Sequence, residues 1–560
     1  MAKAPKQQAQ KRGRGILGSL ILGVVVSLSF WVPHIDAFNI SKFVVLGVGV
    51  LILGVLALPD LKVKSQAKTG SYLLLVFVIM LVVNLFTSPN TYKSLIGALG
   101  RNNGVLTYFC FAALAYLISI RFNLVDLPKL LWSLAGLGLF QTIYNIIQLA
   151  DADPIAWNNP YGLILGTLGN SDFAAALLAI CSVATLWLAR MYASKVAIAL
   201  SLLVLVGVQF VVMLESDVRQ SLILFAFGIA VIVYSELVQK SKPISLAWGG
   251  LVSLGGLLAL LGTLQIGPLT KLLFKESITY RGDYWRAAWR MFTDNPAFGV
   301  GLGNYGDYFN RYRDAAQVAR RGPAVGSDVA HSMPLDFLAM GGLTLGIAYL
   351  ALVIYSVYLV ISKIRSLDGV NKQQGYIVFS LLGAYLLQSL ISIDQIGLAV
   401  WGWIFIGVAL SFAEERKIIA PLDSQVFTIF VPITIVVTAI SFVMVSVPTW
   451  RADAALKQLA SVPAEQQGVD TRSIRLQIAS DIEKLTPRDS QFKTQIALYL
   501  LSNGQAEGID YAKKALEQNP SDSTALRYLV IAYGQLNDPA NQEKYKAEAL
   551  KIDPFNPDLK

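Results

Sequence analysis

Cysteine and histidine are nearly absent: each occurs twice in 560 residues. Cys110 and Cys181 both sit inside apolar runs, which excludes a disulfide framework and a CxxC metal motif. His34 and His331 stand far apart, too few for a histidine-rich metal centre, so no metal and no cofactor is expected. Charge is scarce as well. Asp, Glu, Lys and Arg make up 15% of the chain, against about 25% in soluble domains. What fills the space is apolar: 55% of residues are hydrophobic. Between Gly15 and Val447 they recur in uncharged runs of about 20 residues, the length that crosses a bilayer core. No such run exists between Thr449 and Lys560. The composition predicts an all-α, polytopic helical membrane protein with a soluble tail.

The net charge of +10 belongs to the membrane part, because the tail from Thr449 holds 14 Lys/Arg against 15 Asp/Glu. That balance argues against a nucleic-acid-binding tail. Thirteen spans are read near 15–33, 37–58, 70–87, 104–120, 130–149, 171–188, 196–214, 219–237, 244–264, 335–362, 375–391, 396–412 and 425–447. The first follows Lys11, Arg12 and Arg14 but lacks a clean small-x-small cleavage site, so it is read as retained. With the N-terminus cytoplasmic, the short loops on that side carry 19 Lys/Arg and the opposite ones 4. The positive-inside bias then orders the chain: a basic cytoplasmic N-terminus (1–14), nine spans (15–264), a large outer loop (265–334), four spans (335–447) and an outer tail (449–560).

Cations on the outer side run against that bias and need another reason to be there. Arg101 and Arg219 are two; the outer loop adds Lys271, Lys275, Arg281, Arg286, Arg290, Arg311, Arg313, Arg320 and Arg321. Together they suggest an anion site, with snorkelling at a span end as the plainer reading of Arg219. Within the loop, Ser277 is placed to cap a helix running to Phe292, ended by Asp294-Asn295-Pro296. Arg281, Trp285 and Trp289 form one i, i+4, i+8 row on it beside Arg286 and Arg290, a face suited to a membrane interface. Gly299-Val300-Gly301-Leu302-Gly303-Asn304 lacks the strand and βαβ unit of a dinucleotide site. Its alternating glycines suit backbone flexibility or close approach to a ligand. His331 lies in AHSMPLDF where the chain enters the next span, and its imidazole is the ordinary side-chain type able to take a proton near neutrality. Its plainer role is a hydrogen-bonded cap for the helix starting at Pro334, and His34 fits such a role.

An arginine and tryptophan, then NPAFGVGLGNY, then AHS before an apolar helix, resemble the O-antigen ligase and polymerase superfamily, which includes bacterial O-linked oligosaccharyltransferases. LGRNNGVL, GTLGNSDFAA and ESDVRQSLILF agree with it in order, and the similarity covers roughly residues 90–410. The resemblance implies transfer of a glycan from an undecaprenyl-diphosphate carrier to an acceptor hydroxyl on the outer face of a bacterial cytoplasmic membrane. It implies His331 as the group acting on the acceptor hydroxyl. It also implies Arg219 and Arg281, then Arg101 and Arg286, as holders of the diphosphate. GNSD stands where the family often has GNPN, which leaves Asn170 and Asp172 as weaker contributors, with Asp394 a further one. Guanidinium groups suit the task because they bind phosphate oxygens bidentately and stay charged when partly desolvated.

In the tail, Asn519-Pro520 and Asp553-Pro554 recur 34 residues apart behind similar helical text, which resembles tetratricopeptide repeats. A degenerate repeat precedes them over 451–503. The tail is expected to dock a protein partner or acceptor, or simply to cap the fold. The acceptor itself is a lipid, a protein or a wall polymer, and membrane lipids surround the spans. Four readings follow: a ligase, a polymerase of lipid-linked repeat units, a lipid-linked glycan transporter, and a non-catalytic scaffold. The absence of halved repeats and of midspan charges counts against the transporter.

Overall fold

A computed structural model describes residues 3–61, 66–157, 164–413, 415–417, 424–464 and 469–560. Lys62 and Lys64, which enter the charge count, lie outside the described residues. The chain is helical, and each of the thirteen apolar stretches falls on a helix. Eight helices are long and apolar enough to cross a membrane: Asn39–Leu58, Thr69–Thr87, Leu124–Leu149, Ser171–Met191, Val196–Glu215, Arg219–Lys240, Lys242–Thr263 and Met333–Ser366. Gly15–Leu28, Val105–Arg121 and Ile396–Leu410 are shorter apolar helices. Among the described residues the departure from helix is a ladder of three residues a side, Gln66–Lys68 antiparallel to Glu415–Lys417.

Small residues decide where helices meet. Every residue of Ile396–Leu410 is buried, which makes it the axis of the bundle. Side-chain atoms at Gly402 and Gly407 would come within 2.0 Å of the Tyr385 ring and 2.7 Å of the Ala115 carbonyl oxygen. Only glycine permits those approaches, the usual device of helix packing in lipid. At the periphery, Lys242–Thr263 leaves Leu246, Leu251, Leu254, Leu257 and Leu260 uncovered. A stripe of that length is tolerable where hydrocarbon rather than water lies against it.

Met333–Ser366 is broken at Gly342, where φ is +61°. The glycine-rich stretch repairs the break. Val300 and Gly301 donate their N–H groups to the carbonyls of Ala339 (3.0 Å) and Met340 (2.8 Å). Buried Asn84 donates to Met340 O (2.9 Å) and accepts from Leu302 N (3.0 Å). Gly299, Gly301 and Gly303 all have positive φ, and a Cβ on Gly299 would sit 2.4 Å from the Met340 carbonyl carbon. The close approach expected of these glycines is therefore to the chain's own kinked helix, whose freed carbonyls need donors in an apolar setting.

The loop helix runs Glu276–Asp294, so Ser277 is inside it rather than its cap. Its entry is held instead by Lys275, whose Nζ lies 2.7 Å from Asp217. Of the row Arg281, Trp285 and Trp289, only Trp289 is exposed, at 54%; Trp285 packs against the core and Arg281 is mostly buried. The boundary read at 449 falls within one continuous helix, Ser424–Ser461, which passes through Pro448 from apolar to polar sequence. Its last turns pack on Thr471–Leu485, followed by the pairs Ser490–Ser502 with Gly508–Gln518 and Ser523–Gln535 with Pro539–Ile552.

The tail does not hang free. His34 Nδ1 lies 2.9 Å from Asp453, with its ring 4.7 Å from that of Trp450. Gln491 accepts from Leu99 N at 2.7 Å, and Asn519 donates to Asp307 at 2.9 Å. Arg313 reaches both carboxylate oxygens of Asp553, at 2.7 and 2.8 Å, with side-chain exposures of 0% and 6%. The C-terminal helix pairs are clamped onto the loop that precedes Met333–Ser366.

Candidate functional site at the junction of loop and tail

Where loop and tail meet they enclose an open cavity of about 580 Å³. His331 is on its floor. The residue is half-buried, and its backbone is left-handed, φ +55°, an uncommon state for a residue with a Cβ. Two bonds on either side fix that turn: Ala330 N to Asp336 Oδ1 and Asp336 N to Ser332 O, both 2.7 Å. The imidazole stacks on Tyr284, ring centroids 5.4 Å apart and planes at 26°. Its nitrogens bond to none of the described residues, and the following helix begins after Ser332 with no side-chain cap. His331 is thus not the cap that a lone histidine at a helix start suggests, whereas His34 is the bonded structural histidine expected.

Arg101 lies beside it, held by its loop after Leu99. Its Nε and Nη2 meet Asp328 at 2.6 and 3.2 Å. This pair lines both the large cavity and a second one of about 360 Å³ that also touches Asn170, Gly169 and Phe173. Arg281 and Tyr284 share a face of the Glu276–Asp294 helix, three residues apart. Arg281 reaches Asp172 at only 3.4 Å, and Asp172 is 44% exposed. Asn170 caps the helix Ser171–Met191, accepting from Asp172 N at 2.8 Å.

The charges around His331 act on it directly. Burial, and the positive Arg101, Arg281 and Arg321, push the imidazole down to about 4 against the pull of Asp328. The ring is neutral near pH 7 and able to accept a proton. Burial alone would raise the Asp328 carboxyl, but Arg101 outweighs it and holds the group below the usual range.

Arg321 is the residue that sequence reasoning left undistinguished among the loop cations. Its guanidinium lies 4.2 Å from the centre of the Tyr280 ring and bonds the Tyr284 hydroxyl. Among the described residues it has no carboxylate partner. Its neighbour Arg320 instead pairs with buried Asp283. Nothing in the sequence ARRGP separates the two; as consecutive residues of the helix Ala315–Arg321 they point to different sides of it.

Other expected site residues stand elsewhere. Arg219 lines neither cavity; its Nη1 donates to Phe274 O at 2.9 Å and ties the loop to its span. Arg286 lies in an ion network with Asp283 and Asp314, the latter at 3.1 Å. Asp394 is buried in the bundle and accepts from the Tyr385 hydroxyl at 2.7 Å. Arg313 belongs to the tail clamp. The loop cations are therefore not one anion site: most neutralise local acids, and Arg101, Arg281 and Arg321 are the three whose charges bear on His331. Among the described residues no group of three or more His, Cys, Asp or Glu is placed to hold a metal. No protein-family model matches the chain, and no curated protein matches it.

Proposed function

We propose that the protein is an integral-membrane glycosyltransferase of the O-antigen ligase type. On this reading it has thirteen spans in a bacterial cytoplasmic membrane, with loop and tail outside. The observation that carries the reading is His331: a strained, unbonded, neutral imidazole on the floor of a cavity, with three guanidinium groups around it. The donor is a glycan on an undecaprenyl-diphosphate carrier. The acceptor hydroxyl attacks the donor's C1 as the C1–O bond to the diphosphate breaks. The acceptor proton passes to His331, and the diphosphate leaves with both bonding electrons. A base so placed contributes typically 10²–10⁴-fold. Arg281 and Arg321, together with Arg101, hold the leaving group, for which charge-assisted bidentate bonds are the strong ones. Attack opposite the diphosphate inverts the anomeric centre. Arg219 and Arg286 hold the loop in place.

A repeat-unit polymerase uses the same donor and the same groups and is the alternative; transporter and scaffold come after it. The test is transfer in nanodiscs from the host's lipid-linked glycan with chelator present. Wild type is expected to transfer, His331→Ala to lose at least 100-fold and Arg281→Ala at least tenfold. Product length separates ligase from polymerase. Transfer undiminished in His331→Ala would sink the mechanism.

A further inference from the structure

Half of the cavity above His331 belongs to the tail. Gln491, Thr494 and Gln495 lie at i, i+3 and i+4 on Ser490–Ser502, and Ser523, Thr524 and Arg527 at i, i+1 and i+4 on Ser523–Gln535. The two helices thus turn one polar face each toward the loop. Gln495 and Thr524 are half-buried, and their side chains bond to none of the described residues; Arg527 has no carboxylate partner among them. The remaining charges in the lining are already matched. Lys93 pairs with Asp307 at 2.7 Å, Arg101 with Asp328, and Asp553 with Arg313. Asp522 is taken up by the Thr494 hydroxyl at 2.6 Å and by the start of its own helix. A wall whose free groups are the Gln495 amide, the Thr524 hydroxyl and Arg527, with Gln491, Thr494 and Ser523 already bonded, over a floor of stacked Tyr284 and His331, suits a neutral polyhydroxylated ligand. It does not suit a diphosphate, nor an apolar peptide helix.

We infer that the C-terminal repeats form the acceptor-binding half of the site and that the acceptor segment they hold is a glycan. This rests on the transferase reading and replaces a remote docking role for the tail. Gln495, Thr524 and Arg527 bond sugar hydroxyls, and the acceptor hydroxyl points down to His331.

The two natural cysteines are buried, so a cysteine introduced into the cavity reports alone. Full-length Thr524→Cys and Gln495→Cys in nanodiscs are labelled with a maleimide, with and without the host's own glycan cleaved from its carrier. Saturating glycan is expected to slow both at least fivefold and leave Ser502→Cys, on the exposed side, unchanged. Equal rates with and without glycan at both positions overturn the assignment. In the transfer assay, Thr524→Ala and Arg527→Ala are expected to raise the acceptor KM at least tenfold with kcat within twofold. Protection without transfer in any variant would refute the transferase and keep the glycan site. Transfer with an unchanged acceptor KM would keep the transferase and refute the site.

Discussion

Arg313 and Asp553 are 240 positions apart in sequence and form the most buried ion pair between loop and tail. Replacing Asp553 by Ala strips Arg313 of its charged partner and leaves it with the carbonyls of Pro323 (3.0 Å) and Val325 (3.2 Å) and with Gln317. Removing one member of a buried pair costs about 3–5 kcal/mol, because the other charge stays desolvated. The two retained carbonyls put this case at the low end, about 3 kcal/mol, or roughly two orders of magnitude in the docking equilibrium. The helix Tyr305–Tyr312 lies beneath Pro539–Ile552, so its amides report undocking through hydrogen exchange. Their exchange is expected to quicken about 100-fold in Asp553→Ala and in Arg313→Met. The double variant Arg313→Met/Asp553→Leu is expected to lose less than either single one, since neither charge is then left alone. Exchange within threefold of wild type in both single variants would show that the pair does not hold the tail down.

His331→Gly relieves a left-handed residue that costs roughly 1–2 kcal/mol with a Cβ, so thermal stability should hold or rise while transfer is lost. The acid limb of kcat/KM, which reports the free enzyme, should fall near pH 4 rather than near 6.5, because burial and the three arginines push His331 down. The same shift has a stability sign. Between about pH 4 and 6.5 the unfolded chain takes up a proton at this position and the folded one does not. Stability therefore drops as pH falls through that window, and His331→Gln should flatten the drop in a melting series. Gly299→Ala places a Cβ 2.4 Å from the Met340 carbonyl carbon at a positive φ. It should destabilise by at least the 1–3 kcal/mol typical of such strain, and a wild-type melting temperature would refute the role of the glycine-rich stretch in repairing the kinked helix.

The apolar architecture was legible because one period, about 20 uncharged residues, encodes each span. The site was legible in part. Arg101 and His331 line the cavity from turns in which their short motifs sit, whereas Arg281 lies well inside the Glu276–Asp294 helix and lines neither cavity. Arg219, Arg286 and Arg313 carry the same chemistry but are engaged by Phe274 O, by Asp283 with Asp314, and by Asp553. Counting loop cations does not weigh such partners, whether on the same helix, as Asp283 is for Arg286, or far away in the chain, as Asp553 is for Arg313. The glycine run misled for a similar reason. Positive φ was readable, but whether the approaching group was a ligand or the Met340 carbonyl depends on a helix 40 residues away. The tail's part in the cavity left no local signal, because Gln495 and Thr524 look like any surface residues of a helical repeat.

The proposed site for a diphosphate already contains Asp172 and Asp328, which looks self-defeating until the cost of an empty site is considered. Partly buried guanidinium groups without counter-ions would be strongly desolvated, and several kcal/mol per ion is a heavy charge on a marginal fold. On the proposed reading the two acids hold the place of the donor's anion, and their grips differ. Asp328 is bidentate to Arg101, at 2.6 and 3.2 Å, and keeps that arginine in the wall between the two cavities. Asp172 reaches Arg281 at 3.4 Å from an exposed position and is easily displaced. In the proposed reaction the incoming diphosphate exchanges with Asp172 and brings two or more negative charges to the neighbourhood of His331. Opposite charge raises an imidazole's affinity for protons. On that reading the base that is weak in the free protein, near 4, is strengthened by the bound donor, which ties proton abstraction to the presence of a leaving group.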